Sequence, residues 1–313
     1  MKKIIFDVEC LPNCFIANLL NVDTRNKVTL EISERKNDTD KFVKIFNKND
    51  RVFITYNGID YDGVLINFIL MNSNLFWEKL VAELKRISDE IINEKKYFFK
   101  YRHDNFFNQI DLLRMLFSKE LRVGLKEMQV SMFYPNVLEM NLDWNKPIAV
   151  DKIDDLIYYC WNDVDSTEWI YMRSLDALSL RQDIEKEFGL NCYSQDGMTL
   201  GVNILAKEYC DETGLTLADL KEFGTPRESM DLKDIILPWI EFSTPELQTF
   251  LNDLKTKTIV NTKGDLAFEV EFDGMKYGIG TGGIHSRNKP TIYITNDEYD
   301  LVDGDVDLTQ WVN

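Results

Sequence analysis

The chain has 313 residues, 44% of them apolar, 12% aromatic and 28% charged, which describes a globular protein with room for roughly two domains. Its 36 Lys and Arg against 53 Asp and Glu give a net charge of −17. That balance excludes a protein held on nucleic acid by a broad basic surface, though it permits one that grips a short single strand in a groove. Cys10, Cys14, Cys160, Cys192 and Cys210 are scattered, and the two histidines, His103 and His285, do not complete a Cys/His zinc spacing. Reduced thiols and a cytoplasmic location are the expectation. The opening KKIIF imitates a signal peptide, but Asp7 and Glu9 interrupt it, and no run of about 18 apolar residues suggests a membrane span.

In chain order, KKIIFDVE (2–9), CFIANLL (14–20) and KVTLEI (27–32) read as strands, followed by a helix at 39–48 and a strand, RVFITY, at 51–56. Residues 61–72 and 73–94 read as helices, and YFFKYR (97–102) and FNQIDLL (107–113) as two further strands. Helices follow at 125–133 and 153–178. Three strands, a helix, a strand and then helices indicate an α/β fold, a mixed sheet flanked by helices that closes near residue 190. Beyond it lies a smaller α+β region with helices at 198–210 and 244–255. LAFEVEF-DG-MKYGI (266–279) reads as a β-hairpin turning at Asp273-Gly274. The expected domains are 1–190 and 191–313.

The acidic residues fall in a pattern. Asp7 and Glu9 are two apart on a strand and project to one face, with Val8 facing away. The plain alternative is a strand end that frays into solvent. In ITYNGIDYDGVL, Asn57, Tyr61 and Asp62 sit where a strand gives way to a helix, a place where Asp60 or Asp62 could also serve only as a cap. Tyr159 and Asp163, in IYYCWNDVDSTEW, share a helical face one turn apart, whereas Asp165 faces elsewhere as ordinary surface. Four carboxylates meeting in space repel one another unless cations sit between them. All-oxygen ligation suits Mg2+ or Mn2+. Two such ions about 4 Å apart can activate a water and neutralise a leaving oxygen in phosphodiester hydrolysis. The Tyr159 hydroxyl is placed to hold that water.

DVE at 7–9, NGIDYD at 57–62 and YCWND at 159–163, in this order, resemble the three motifs of the DEDD 3′→5′ exonucleases of the tyrosine subtype, on the ribonuclease H-like fold. The detail is similar to the proofreading domain of phage family B DNA polymerases. The resemblance implies that Asp7, Glu9 and Asp163 hold the metal of the catalytic water and that Asp7 and Asp62 bridge to a second. It further implies that Asn57 and Tyr61 hold the 3′-terminal nucleotides of single-stranded DNA, with Cys10 and Leu125 contributing to substrate binding. Cys10 stands where the family often has Thr, and Gly124-Leu125 where it has Ser or Thr before Leu. Glu139 stands where protein-primed relatives tend to carry Lys.

The resemblance continues more loosely past residue 190. YGIGTGGIHSRNKP (277–290) looks like the Gly-Gly loop of these phage enzymes, with Gly282, Gly283, His285 and Arg287 as DNA contacts, or else like a plain connection. LVDGDVDLTQWVN resembles the approach to polymerase motif A, with Asp305 or Asp307 as its Asp, although QWVN does not reproduce that motif. The remaining polymerase motifs are absent, so no polymerisation is expected from this chain. The expectation is a metal-dependent 3′→5′ exonuclease, two Mg2+ or Mn2+ ions as cofactors, and a separate polymerase subunit as partner. A free-standing DNA or RNA exonuclease and a non-catalytic docking subunit are the alternatives.

Overall fold

A computed structural model describes residues 1–94, 107–118, 121, 123–222, 227–260, 265, 268–272, 274–280, 283–287 and 289. The expected strand at 97–102 and the residues Gly282, Asp305 and Asp307 lie outside them. Two compact units divide the chain, Met1–Lys221 and Glu222–Asn313.

The first unit is built on strand β1 (Lys2–Leu11), which pairs antiparallel with β2 (Cys14–Asn21), itself antiparallel to β3 (Lys27–Ile32). Helix α1 (Thr39–Phe46) leads into β4 (Arg51–Thr55), parallel to β1. Helices α2 (Asp62–Met71) and α3 (Trp77–Glu94) precede β5 (Gln109–Asp111), parallel to β4. The sheet order β3-β2-β1-β4-β5, flanked by helices, is the ribonuclease H-like arrangement. β1 lies at its centre and is covered on both faces, so Ile4, Ile5 and Phe6 are all buried in succession instead of alternating with exposed residues.

The two faces of β1 divide cleanly. Ile4, Phe6, Val8 and Cys10 enter one core with side chains of α1, α2 and α3. There, Phe46 stacks on Phe53 at 4.5 Å between ring centroids and meets Phe6 edge-on at 5.3 Å. Ile5 and Leu11 face the opposite side, where α6 (Ile153–Arg173) packs. Asp7 and Glu9 share that second face by alternation.

Two elements depart from the sequence expectation. β5 stops at Asp111, because the Asp111 carboxylate accepts the Arg114 N–H at 3.3 Å and starts helix α4 (Leu112–Leu116) where a strand was expected to continue. A second short helix, α5 (Leu125–Ser131), follows. The expected helix 153–178 is broken at Ser174, whose hydroxyl bonds back to the Ile170 carbonyl at 2.9 Å, and α7 (Leu175–Phe188) begins anew.

Residue 190 falls inside the first unit. Arg181 on α7 donates to the carbonyls of Met115 and Gln195, and Ser194 accepts from Asp111 N–H at 2.9 Å. Cys192 is buried with Ile184 and with Leu200 of α8 (Gly197–Thr213). α9 (Leu217–Glu222) ends at the division.

In the second unit, β6 (Met230–Asp231) pairs with β7 (Thr258–Ile259), and α10 (Pro245–Lys255) starts with Pro at its first turn. β8 (Phe268–Phe272), β9 (Met275–Gly280) and β10 (Gly283–Ser286) form an antiparallel sheet. Phe272 pairs with Met275 across the expected two-residue turn, with Gly274 at φ +74°. Among the described residues, no helix is long and apolar enough to cross a membrane.

Candidate metal centre

The centre forms where the sheet opens. β4 accompanies β1 only as far as the Ile5–Ile54 pair, so β1 from Phe6 onward has a strand neighbour on the β2 side alone. The chain between β4 and α2 fills the space. Asn57 adopts a left-handed conformation at φ 66°, and Gly58 passes so close to β4 and β5 that a Cβ there would lie 2.3 Å from Thr55 Oγ1 and 2.5 Å from Gln109 Nε2. Asp111 fixes this loop from below. Fully buried, it accepts the N–H groups of Asn57 and Ile59, each at 3.0 Å, as well as that of Arg114. Arg114 in turn holds Asp60 through two 2.8 Å bonds from Nη2.

This packing delivers Asp62 to the open flank of β1, where backbone N–H groups including that of Val8 hydrogen-bond its carboxylate. Tyr61 occupies the N-cap position of α2 without a side-chain cap hydrogen bond. The third element, α6, is seated on the sheet by three bonds. Asn18 Nδ2 donates to Ile157 O at 2.9 Å, Trp161 Nε1 to Thr29 Oγ1 at 3.1 Å, and the Cys160 thiol to Asp7 O at 3.5 Å. Asp163 and half-buried Tyr159 then project from one face of α6 toward the acids of β1.

Asp7, Glu9, Asp62 and Asp163 act on one another as a cluster. Glu9, Asp62 and Asp163 are buried and Asp7 is half-buried. The Asp7 carboxyl is held well above its ordinary pKa by burial first, then by the charges of Asp62, Glu9 and Asp163. Glu9 is raised by burial and by Asp163 and Asp62. Burial pushes Asp62 up to about 8 against the opposing backbone hydrogen bonds, with the Asp111 charge adding to the rise. Asp163 is raised by burial, against the pull of Lys126. Asp7, Glu9 and Cys160 offer ligand atoms within 4.8 Å of one another, with the Cys160 sulfur 3.9 Å from Asp7 Oδ2.

Divalent cations suit this donor set. The raised pKa values of these carboxyls, due first to burial, show that their charged forms are costly here without a cation to stabilise them. A divalent cation here would be held first by Asp7 and Glu9, whose ligand atoms lie together, with Asp62 and Asp163 as the further carboxylates that the sequence motifs lead one to expect.

The other expected site residues divide. Asn57 lies in the loop before Asp62, and its Oδ1 is buried without a hydrogen-bond partner. The side chain of Cys10 is on the opposite face of β1 from the acids, buried in the α1–α3 core, where burial pushes its thiol pKa up. Tyr61 packs against that same core, with its hydroxyl 2.8 Å from Ser88 Oγ. Leu125 is half-buried against the α6 core. Gly124 brings no hydroxyl, and Glu127 reaches back to accept the Gly124 N–H at 3.2 Å at the start of α5. In the second unit, Gly283 and His285 pair with Gly280 and Gly278 as part of a strand, with the His285 side chain exposed. Arg287 lies over Gly278 and is 3.6 Å from Glu269.

Sequence reasoning missed Lys126, whose ammonium ion-pairs with Asp163 and lies 4.6 Å from the centroid of the Tyr159 ring. It also missed Gln129, fully buried and donating to Asp163 Oδ1 at 3.3 Å and Ser166 Oγ at 2.7 Å. Both sit on α5 at a spacing of three, which is one helical face, but nothing in their own segment points to a partner 37 or 34 residues away. A separate cavity of about 930 Å³, lined by Ile54, Ile110, Leu178 and Tyr193 among others, includes none of the four acids.

No protein-family model matches the sequence, and no curated protein matches it. Among solved structures, the zinc-bound form of E. coli exonuclease I in complex with single-stranded DNA aligns at 11% identity and a TM-score of 0.30, over 60% of this chain and 45% of that one. E. coli exonuclease I in complex with a dA16 oligonucleotide aligns at 12% identity and a TM-score of 0.24, over 57% and 43%. The alignments span less than half the length of those chains. The assignment of the fold rests on the strand order and register of this chain.

Two outcomes are expected. A carboxyl whose folded pKa lies above its unfolded value binds a proton on folding, so its cost to stability is absent below the ordinary 3.8 and grows until pH passes the folded value of about 8. The metal-free protein should therefore melt lower as pH rises from about 4 to 8, by on the order of a few kcal/mol for Asp62. Asp62→Asn should raise the metal-free melting temperature at the upper end of that window and leave the lower end unchanged, and Mg2+ should stabilise the wild type more at the upper end. Calorimetric melts across that range check all three. Gly58→Ala should cost about 2 kcal/mol in urea unfolding, because the new methyl meets Thr55 and Gln109 in a packed site.

Proposed function

We propose that this chain is a divalent-metal-dependent nuclease that removes nucleotides from the 3′ end of single-stranded DNA. The observation that carries the reading is the convergence of Asp7 and Glu9 from β1, Asp62 from α2 and Asp163 from α6 on one cluster, with Tyr159 one helical turn from Asp163. Mg2+ or Mn2+ held by these four carboxylates would supply Lewis-acid stabilisation of the phosphodiester and lower the pKa of an attacking water.

The chain's own residues then do the positioning. Burial, with the charges of Asp163, Glu9, Glu139 and Asp7, pushes the Tyr159 hydroxyl pKa up, so the phenol stays protonated and serves as a fixed hydrogen-bond donor and acceptor for the water. Lys126 balances part of the acid charge and, against its ring, steadies Tyr159. Gln129 holds Asp163 Oδ1 from behind. Asn57, the residue that the motif resemblance places at the terminal nucleotide, sits in the loop that carries Asp62. Cys10 and Tyr61, turned into the α1–α3 core, shape that loop without needing to touch the strand.

The order of the three acid motifs supports a finer reading, that of the editing part of a phage family B DNA polymerase, with polymerisation supplied by another chain or segment. In that reading residues 222–313, including the β8–β10 sheet, belong to the polymerase side of the assembly.

The test is digestion of a 5′-labelled single-stranded DNA oligonucleotide, with an RNA of the same sequence beside it. A ladder that shortens from the 3′ end, requires Mg2+ or Mn2+ and vanishes in Asp7→Ala is the expected outcome. Tyr159→Phe should slow it by about 10–100-fold, as expected for loss of a group that orients another. Absence of a ladder from wild-type protein shown to bind metal would overturn the reading, and faster digestion of the RNA would transfer it to that substrate.

A further inference from the structure

Lys126 lies outside all three acid motifs and enters the centre from α5, a separate element. Its ammonium pairs with Asp163, and its charge also acts on Asp7 and Glu9. The pair is largely shielded, with the two side chains 24% and 9% exposed, so it is screened less than a surface ion pair. Asp163 Oδ1 is thus already occupied by two donors, Lys126 Nζ and Gln129 Nε2.

A divalent cation that uses Asp163 has two choices. It can take Oδ1 from these donors, or it can bind the other oxygen while a positive charge remains close by. Either choice lowers its affinity, the first by breaking a charge-assisted bond and the second by direct repulsion. The lysine has somewhere else to go, because the face of the Tyr159 ring is already 4.6 Å from its nitrogen.

We propose that Lys126 is a built-in counter-ion that competes with divalent cations for Asp163, so that loading the centre with metal displaces its ammonium from the carboxylate. The inference rests on the reading that the four acids hold metal and adds how that metal is admitted. Without metal, Lys126 limits the repulsion among the acids and keeps the fold intact. With metal, the lost ion pair is subtracted from the binding energy, which keeps affinity moderate and exchange reversible. The same exchange takes the ammonium off the carboxylate and leaves it to the Tyr159 ring against which it already lies, so that metal occupancy is relayed to Tyr159.

Removing the lysine therefore has opposite effects in the two states. In full-length protein, Lys126→Met, which keeps the apolar stem, should lower the metal-free melting temperature at neutral pH and leave the Mn2+-saturated one unchanged or higher. Its Mn2+ affinity, read from the electron paramagnetic resonance signal of free Mn2+, should tighten by about tenfold, the equivalent of one lost competing contact. Lys126→Arg keeps the charge and should bind Mn2+ like the wild type. Lys126→Gln, polar and neutral, repeats the test should the Met variant fold poorly, and is expected to tighten binding too.

Equal or weaker Mn2+ binding in the neutral variants, with melting lowered alike in both states, would make Lys126 a structural ion pair and overturn the inference while leaving metal binding by the wild type in place. A wild type that shows no Mn2+ binding at all would overturn both this inference and the metal reading beneath it.

Discussion

Everything at the centre follows from the way β1 loses its neighbour. For its first residues the strand is hydrogen-bonded on both sides, and past Ile5 it has only β2. Backbone groups left open inside a protein must find other partners, because burying them unpaired costs stability. The loop after β4 and the start of α2 move into the gap, and Asp62 takes backbone hydrogen bonds that include Val8 N–H. The same loop brings a third carboxylate toward Asp7 and Glu9. α6 closes the other side, and its bonds to Asn18, Thr29 and Asp7 set the angle at which Asp163 arrives.

The arrangement opposes the stability of the fold that holds it. Four acids in a shielded place have their pKa values raised, first by burial and, for Asp7 and Glu9, by the neighbouring acids as well, and Lys126 offsets part of that. The opposing stabilisation comes from elsewhere, chiefly the aromatic group of Phe6, Phe46, Phe53 and Phe107 on the far face of the same strand. β1 therefore carries apolar side chains alone on one face and, on the other, Ile5 and Leu11 on either side of the two acids. Functional centres commonly concentrate such local cost.

Much of this was legible in the sequence. β3 matches its expected bounds, β1 and β2 extend slightly beyond theirs, and Asp7 and Glu9 share a face because strand alternation admits no other result. The motif order marked Asp62, Tyr159 and Asp163. What escaped notice depended on contacts between distant segments. Asp111 looked like the middle of a strand, yet its carboxylate ends β5, caps α4 and supports the 57–60 loop. Lys126 and Gln129 lie in the expected helix 125–133, with nothing in that segment to single them out. Cys10 and Tyr61 were expected beside the acids, but Cys10 alternates onto the other face of β1, and the Tyr61 ring follows the apolar core toward Ser88. Motif adjacency in the chain does not say which side of the sheet a side chain joins.

The loop between Thr55 and Asp62 also constrains how such a chain can vary over time. Asn57 and Ile59 are held by Asp111, Gly58 is pressed against Thr55 and Gln109, and Asp60 is clasped by Arg114. No residue in it can be duplicated without shifting Asp62 along the flank of β1. The turn between β2 and β3, with Asp23, Thr24, Arg25 and Asn26 exposed, carries none of the four acids and is tied to α6 at its surface through Arg25 and Glu168. Length variation among descendants of this sequence should therefore gather at that turn, while the seven-residue span from Tyr56 to Asp62 keeps its length even where its letters change.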